Sequence, residues 1–427
     1  MTLIKTSLLN AIAVIVKMLT MLGLNKILAI YVGPAGYAAI GNFQNAVQII
    51  TTFGSGAITN GVTKYTAEYG EDSSEQRELW RTASTISIIS SVLTGLLIFI
   101  FRKDISIWFL KDEIFSPVFT WFSISILFFV LNSFFLAILN GKKEIQRYIL
   151  ANIGGSLFTL IVTSILAIKF GLQGALIALA IYPSFSFIVT LALCHKANWF
   201  KFSYLFGRPD KTIAINLAKF TAMALTSAAC VPISHIFIRN HLGDTLGWDA
   251  AGYWEAMWRL SSAYLMMVTT TLSLYYLPRL SELKNPQDIK HEIIQGYKII
   301  LPITAASGVI IFLLRDFIIG VLFTTDFYAM RDLFAWQMLG DTLKIGSWIL
   351  AYLMIGKAMV KIFIFTEIIF SVSFYFFVLF FTSIYGLDGT TVAYAVNYAI
   401  YWIAIAFFVK DYIFIRSENK KQKKKIT

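Results

Sequence analysis

The sequence predicts an all-α membrane protein of about twelve transmembrane helices, arranged as two parallel six-helix bundles. Three observations support this fold class: the composition, the length of the apolar runs and an internal repeat. Of the 427 residues, 57% are hydrophobic and only 14% are charged, and the mean hydropathy is +0.70. Soluble domains carry roughly 25% charged residues. A soluble chain could not bury this much apolar surface.

The apolar runs are unbroken and long enough to cross a bilayer, which takes about 20 helical residues. A β-barrel would instead show segments of about ten residues with alternating polarity. We predict spans at residues 8–31, 37–63, 82–101, 117–139, 148–169, 173–194, 213–238, 249–277, 297–314, 331–355, 360–383 and 389–409.

The basic residues indicate the orientation of these spans. With the N-terminus inside, the cytoplasmic segments hold 24 lysines and arginines, and the opposite side holds seven, Arg239 among them. Cytoplasmic loops normally carry this excess, so both termini are predicted to be cytoplasmic. We expect the basic tail, residues 410–427, to bind lipid headgroups.

Three short motifs recur at an offset of 215 or 216 residues, at equivalent loops. They are Ala35-Gly36-Tyr37 with Ala251-Gly252-Tyr253, Gly141-Lys142 with Gly356-Lys357, and Phe170-Gly171-Leu172-x-Gly174 with Tyr385-Gly386-Leu387-x-Gly389. Six spans separate the copies, so both halves have the same orientation. Parallel repeats of this kind are typical of transporters with a site between the halves. We predict bundles at 1–212 and 213–409, followed by the tail; a duplication kept only for packing is the alternative.

Several charged residues fall inside the predicted spans, namely Lys17, Lys26, Lys219, Glu255, Arg259, Asp341, Lys344 and Glu367. Such charges are rare at membrane depth and usually face a cavity or a partner helix. Lys26 and Lys219 lie near span ends, where they can snorkel. The spacing of Glu255 from Arg259, and of Asp341 from Lys344, allows local neutralisation. Because desolvation can exceed the attraction within a buried ion pair, we favour a hydrated cavity.

Five basic against three acidic groups would leave two positive charges in that cavity, which favours an anionic ligand. Phosphate or diphosphate is the natural candidate, since arginine binds it bidentately and lysine acts as a point charge. The central basic residues Lys17, Arg259 and Lys344 are therefore the candidate ligands. Glu255, Asp341 and Glu367 are candidate charge partners or proton carriers.

A polar stripe follows one face of the second span, through Asn42, Asn45, Gln48 and Thr52. Amides that faced lipid would lack hydrogen-bond partners, so this face is expected to point into the protein. One interpretation is a sugar-binding wall, because amides both donate to and accept from hydroxyl groups. The other is hydrogen bonding between neighbouring helices.

The loops leave no room for a soluble catalytic domain, since the longest has about 18–20 residues. The sequence contains no Walker A motif for ATP, and its two cysteines lie in apolar segments without metal-ligand spacing. We expect a transporter rather than an enzyme, with no cofactor and no metal.

Four stretches resemble the polysaccharide-unit flippases of enterobacteria. They are GPAGYAAIGNFQN (33–45), GSGAITNGVTKYTAEY (54–69), LRDF (314–317) and FTTDFYAMRDLFAWQMLGDTLKIGSWILAYLMIGKA (323–358). The resemblance covers nearly the whole chain and extends to a superfamily that includes multidrug extruders and lipid II flippases. It implies two bundles around a V-shaped central cavity, in the bacterial inner membrane.

The resemblance also implies a substrate, an undecaprenyl-diphosphate-linked oligosaccharide moved to the periplasmic leaflet by alternating access. An O-antigen unit and lipid III of enterobacterial common antigen both remain open. The polymerase and chain-length regulator of the same pathway are implied partners. A cation-coupled drug exporter would prefer an acid-rich cavity, and a membrane-embedded glycan polymerase or ligase would need a large periplasmic loop; these are the rival hypotheses.

Overall fold

The computed structural model describes residues 3–70, 73–197, 199–357 and 359–414. Within these ranges twelve long helices follow one another. The first six are α1 (Leu3–Tyr31), α2 (Gly33–Gly54), α3 (Ser73–Ile100), α4 (Ser116–Gly141) and the two parts of Ile145–His195 on either side of Gly171, α5 (145–170) and α6 (172–195). The second six are α7 (Lys211–Leu246), α8 (Trp248–Thr271), α9 (Pro286–Leu313), α10 (Phe334–Gly356), α11 (Val360–Tyr385) and α12 (Gly389–Phe414). Eleven predicted spans each correspond to one of these helices, and the second, 37–63, covers α2 and the beginning of a separate helix, Thr59–Glu68. The all-α fold class is confirmed.

Shorter helical segments connect or extend the long helices. They are Thr59–Glu68, Arg102–Leu110, a π-helical turn at Leu272–Tyr276 that continues α8, Leu277–Glu282, Arg315–Leu322, and a 3₁₀ segment at Thr325–Leu333 that leads into α10. A π-helical turn inside a long helix is uncommon and often marks a functional region.

The chain is a multi-pass membrane protein. Among the described residues, seven helical stretches are long and apolar enough to cross a membrane, and two of them, Ile145–His195 and Val360–Lys410, contain two spans each. These stretches do not include α2, α7 and α8. Those three helices carry the polar stripe and several of the buried charges described below.

The two halves repeat each other in backbone geometry as well as in sequence. Gly171 has φ +57° and ψ −136°, and Gly386, 215 residues later, has φ +58° and ψ −136°. A side chain is rarely compatible with this conformation, which explains the glycine in both copies. The turns after α4 and α10 also match: Glu144 N donates to Leu139 O at 2.9 Å, and Met359 N donates to Met354 O at 2.8 Å.

The chain divides into two compact units, Met1–Ile236 and Phe237–Thr427. The division falls inside α7, whereas the predicted boundary at 212/213 marks the beginning of that helix. The first residues of α7 therefore pack with the N-terminal unit. Residues 415–427 of the predicted tail lie outside the described residues, as does the side chain of Lys219.

Each unit has its own apolar core. The N-terminal core includes Trp80 of α3 and Phe135 of α4. The C-terminal core includes Ile345 and Ile349 of α10, packed with residues of α8, α9 and α12. Because these two isoleucines face the core, the preceding residue of each, Lys344 and Trp348, lies on the adjacent face of α10.

Candidate substrate-binding site

Two buried arginines share one carboxylate in the C-terminal unit. Arg239 of α7 donates to Glu255 Oε2 from Nε at 2.9 Å and from Nη2 at 2.6 Å. Arg259 donates from Nε to Glu255 Oε1 at 2.8 Å. The side chains of Arg239, Glu255 and Arg259 are only 2%, 4% and 7% exposed. We call these three residues the arginine triad.

The triad corrects the assignment of Arg239 to a loop on the side opposite the cytoplasm. The predicted seventh span ends at residue 238, but α7 continues to Leu246. Arg239 is therefore inside a helix and buried, with its guanidinium carbon 5.5 Å from the ring centre of Trp254.

Asp341 is completely buried in α10 and is held by neutral donors. Its Oδ2 accepts from the Tyr264 hydroxyl at 2.7 Å, and its Oδ1 accepts from the Tyr394 hydroxyl at 2.8 Å. Gln337 Nε2 lies 3.4 Å from Oδ1 and donates to the Ser261 hydroxyl at 3.1 Å. This carboxylate therefore ties α10 to α8 and α12.

Lys344 is surrounded by aromatic rings. Its Nζ lies 4.9 Å from the ring centres of Trp258 and Trp348, 5.7 Å from that of Tyr398 and 6.0 Å from that of Tyr394. The negative faces of such rings attract a cation. We call Lys344 and these four rings the lysine cage.

Lys344 does not neutralise Asp341 through an ion pair. Over the part of the chain that the structure describes, no carboxylate oxygen lies within ion-pairing distance of the Lys344 amine. An ion pair therefore forms between Glu255 and Arg259, whereas Asp341 acts on Lys344 only through the attraction of its charge over a longer distance. Glu367, half-buried on α11, is close enough for its charge to act on Lys344.

The arginine triad and the lysine cage are adjacent. The rings of Trp254, which packs on Arg239, and of Trp258, which borders the cage, have centres 5.9 Å apart. Arg259 is the eleventh residue after the start of α8 and Lys344 the tenth after the start of α10. At about 1.5 Å per residue, both lie about 15 Å from these helix ends, which is half of a hydrocarbon core about 30 Å thick.

The charges of this region balance when all its members are counted. The cations are Arg239, Arg259 and Lys344, and the carboxylates are Glu255, Asp341 and Glu367. The surplus of two positive charges that the sequence suggested is therefore not gathered in the C-terminal unit. That surplus of positive charge depended on three lysines of the N-terminal unit, Lys17, Lys26 and Lys219.

The N-terminal unit holds the remaining predicted residues. Lys17 is exposed on α1. In the polar stripe of α2, Asn42 is buried, Asn45 Nδ2 donates to Pro232 O at 3.3 Å, and the Thr52 hydroxyl donates to Gln48 O at 2.8 Å. The Asn45 contact favours helix–helix hydrogen bonding at that position, whereas the exposed side chain of Gln48 leaves the sugar-binding interpretation open.

Sequence reasoning missed the aromatic members of this region. Trp254 and Trp258 alternate with Glu255 and Arg259 on α8, and that spacing was a usable signal. Tyr394, by contrast, comes from α12 and is brought to Asp341 only by the packing of α10 against α12. No group of three or more metal-ligating side chains occurs within the described ranges.

Comparison with known proteins agrees with this architecture. Residues 3–284 match the polysaccharide biosynthesis protein family. The chain belongs to that family. A curated relative from Escherichia coli (strain K12), the lipid III flippase, is 32% identical over 402 residues, which cover 94% of this chain and 97% of the relative.

Solved structures of two transporters have a fold similar to that of this chain. An inward-facing multidrug resistance MATE family transporter of the MOP superfamily aligns with a TM-score of 0.78 and 16% identity, over 93% of this chain and 94% of that protein. The lipid II flippase MurJ, in an inward closed conformation, aligns with a TM-score of 0.74 and 16% identity, over 95% of this chain and 87% of that protein. At these identities the likeness concerns the fold alone.

Proposed function

We propose that the chain is a flippase, a transporter and not an enzyme, that moves an undecaprenyl-diphosphate-linked oligosaccharide from the cytoplasmic to the periplasmic leaflet of the inner membrane by alternating access. The relative from Escherichia coli is named for flipping lipid III, and the match extends over nearly the full length of both chains. This favours lipid III of enterobacterial common antigen over an O-antigen unit. The excess of basic residues in one set of loops supports cytoplasmic termini.

The lysine cage is the observation that supports binding of a diphosphate group. A lysine near the middle of the membrane is expensive unless it is paired or hydrated, and Lys344 is held by ring faces instead of by an ion pair. Its ammonium group has three N–H donors. An incoming phosphate oxygen can accept from them without first displacing a carboxylate.

We assign binding of the diphosphate to Lys344, Arg259 and Lys17. Glu255, Asp341 and Glu367 are then the groups that adjust the charge of the site, by pairing with a cation or by carrying a proton. The α2 stripe of Asn42, Asn45, Gln48 and Thr52 receives the sugars. A polymerase and its chain-length regulator, which use the delivered units, are the pathway partners that fit this role.

The proposal is tested by complementation of an enterobacterial strain that lacks its own flippases. The intact chain is expected to restore surface glycan and to prevent accumulation of the lipid-linked oligosaccharide. Lys344→Ala and Arg259→Ala are expected to abolish rescue while the protein remains in the membrane. Lys361→Ala, which changes an exposed lysine at the start of α11, is the matched control and should rescue fully.

Normal surface glycan with both Lys344→Ala and Arg259→Ala would contradict the assigned site. Failure of the intact chain to rescue any glycan pathway would contradict the flippase function itself.

A multidrug exporter is the second candidate, because the aligned MATE transporter has a TM-score as high as that of the lipid II flippase. Such a carrier of cationic drugs would need a carboxylate that can bind them. Asp341 instead accepts hydrogen bonds from tyrosine and glutamine donors, and Glu255 is shared by two arginines. Lowered drug sensitivity without any glycan rescue would favour this candidate.

A further inference from the structure

Arg239 lies outside every residue set to which the proposed function assigns a role. It is among the largest fully buried side chains of the described residues. Arg239 donates two hydrogen bonds to a single atom, Oε2 of Glu255, at 2.9 and 2.6 Å. Arg239 therefore holds one of the two oxygens of the Glu255 carboxylate.

The geometry divides one negative charge between two guanidinium groups. Glu255 Oε2 accepts from Arg239, and Glu255 Oε1 accepts from Arg259 Nε at 2.8 Å. The three side chains together carry one positive charge. If Arg239 were replaced by an uncharged residue, Glu255 and Arg259 would form a neutral pair.

A contribution to stability does not by itself explain why these three charged residues are buried together. Buried ion pairs and triads often stabilise a protein no better than apolar side chains of the same volume. The triad also lies beside the lysine cage, because Trp254 packs on Arg239 and its neighbour Trp258 borders Lys344. Its charge therefore contributes to the electrostatic potential at the assigned diphosphate site.

We propose that Arg239 is a positioning residue for anion binding: by holding Glu255, it keeps the positive charge of Arg259 available to a diphosphate ester. This inference rests on the proposed function, since it deepens the description of the same site. It does not require Arg239 to touch the ligand.

The test measures binding of farnesyl diphosphate to the purified full-length protein in detergent, as the ligand concentration that gives half-maximal thermal stabilisation. Farnesol, which has the same chain without the charge, is the ligand control. The variants are Arg239→Leu, Arg239→Lys, Glu255→Gln and the double variant Arg239→Leu/Glu255→Gln. Arg331→Leu is the protein control, because it removes an exposed ion pair with Asp316 whose shortest N–O distance is also 2.6 Å.

The expected result follows the charge of the triad. Arg239→Leu lowers it from one to zero and is expected to weaken binding about tenfold, the order that a unit charge ~10 Å away produces at an effective dielectric constant near 20. Adding Glu255→Gln returns the charge to one, so the double variant is expected to regain most of the affinity. Arg239→Lys keeps the charge and is expected to bind within a few fold of the intact protein.

If Arg239 has only a structural role, the opposite result is expected for the double variant. A second substitution in the core would then weaken binding further and would not restore the affinity. Equal affinity of Arg239→Leu and the intact protein, or a double variant as weak as Arg239→Leu, would overturn the inference.

If Arg239→Leu does not fold, Glu255→Gln is compared with Arg239→Lys and with the intact protein. Glu255→Gln raises the charge of the triad to two, so the inference requires this variant to bind farnesyl diphosphate more tightly than either of the others. An intact protein that is stabilised no more by farnesyl diphosphate than by farnesol would instead contradict the proposed diphosphate site, and the inference with it.

Discussion

At the scale of single residues, aromatic rings and hydroxyl groups replace ion pairs around two of the central charges. Each cation–π contact contributes about 0.5–2 kcal/mol, and Lys344 has four rings within 6.0 Å. Asp341 is compensated by three side-chain donors on α8, α10 and α12. Each of the two charged groups therefore has close partners of its own, and neither depends on an ion pair with the other.

Removal of one of these donors should be measurable as a loss of stability. Tyr264→Phe deletes the hydroxyl that donates to Asp341 Oδ2 at 2.7 Å. An under-satisfied buried acceptor costs about 1–3 kcal/mol, so we expect a lower thermal midpoint in detergent. Tyr275→Phe, at an exposed tyrosine, should leave the midpoint unchanged.

In an Asp341→Asn background the effect of Tyr264→Phe on the midpoint should be smaller, because the effects of substitutions at two residues in contact do not simply add. An undiminished effect there would mean that the hydroxyl acts on another group.

At the scale of helices, the two halves share one backbone feature. The chain leaves the helical conformation in the same way between α5 and α6 and between α11 and α12. Gly171 and Gly386 have the same φ and ψ within a degree, in a region that favours glycine. A Cβ added at Gly386 would meet nothing within 4 Å. The requirement for glycine there is thus set by the backbone and not by crowding.

Alanine at either break should therefore carry a similar penalty. We expect Gly171→Ala and Gly386→Ala each to destabilise the protein by about 1–3 kcal/mol, the usual cost of a strained backbone conformation. Gly320→Ala is the matched control, since that helical glycine has an ordinary φ and open space around it. It should be neutral or slightly stabilising, because alanine favours helix. Thermal unfolding of the three variants checks this, and a large penalty at only one of the two breaks would contradict structural equivalence.

The sequence predicted elements far better than it predicted the site. Apolar runs located the helices because a helix satisfies its own backbone hydrogen bonds inside a membrane. This holds even for α2, α7 and α8, which are not among the described stretches that are long and apolar enough to cross a membrane. Arg239 was missed for a local reason: hydropathy ends the seventh span at residue 238, although the helix continues to Leu246. The cage around Lys344 was missed for a general reason, since it joins α8, α10 and α12 and no single helix contains its pattern.

At the scale of the whole molecule, the charge bias of the loops and the charge of the substrate act in the same direction. The loops predicted to be cytoplasmic carry 24 basic residues against six on the other side, once Arg239 is assigned to α7, and this bias supports the proposed cytoplasmic termini. In that orientation an exported diphosphate ester leaves the negative side of the membrane. If the proposed function holds, the membrane potential by itself favours outward transport.

This makes the rate of flipping sensitive to voltage. Each elementary charge that crosses the membrane gains about 2.3 kcal/mol per 100 mV, so a potential that is negative on the side of departure should accelerate transport. The measurement uses proteoliposomes with a fluorescent polyprenyl-diphosphate oligosaccharide and a potassium gradient set by valinomycin. Reversal of the gradient should slow transport, and liposomes with Lys344→Ala should show neither effect. A rate that ignores the potential but follows a pH gradient would contradict electrophoretic export. It would instead mean that protons on Glu255, Asp341 or Glu367 cancel the substrate charge during the crossing.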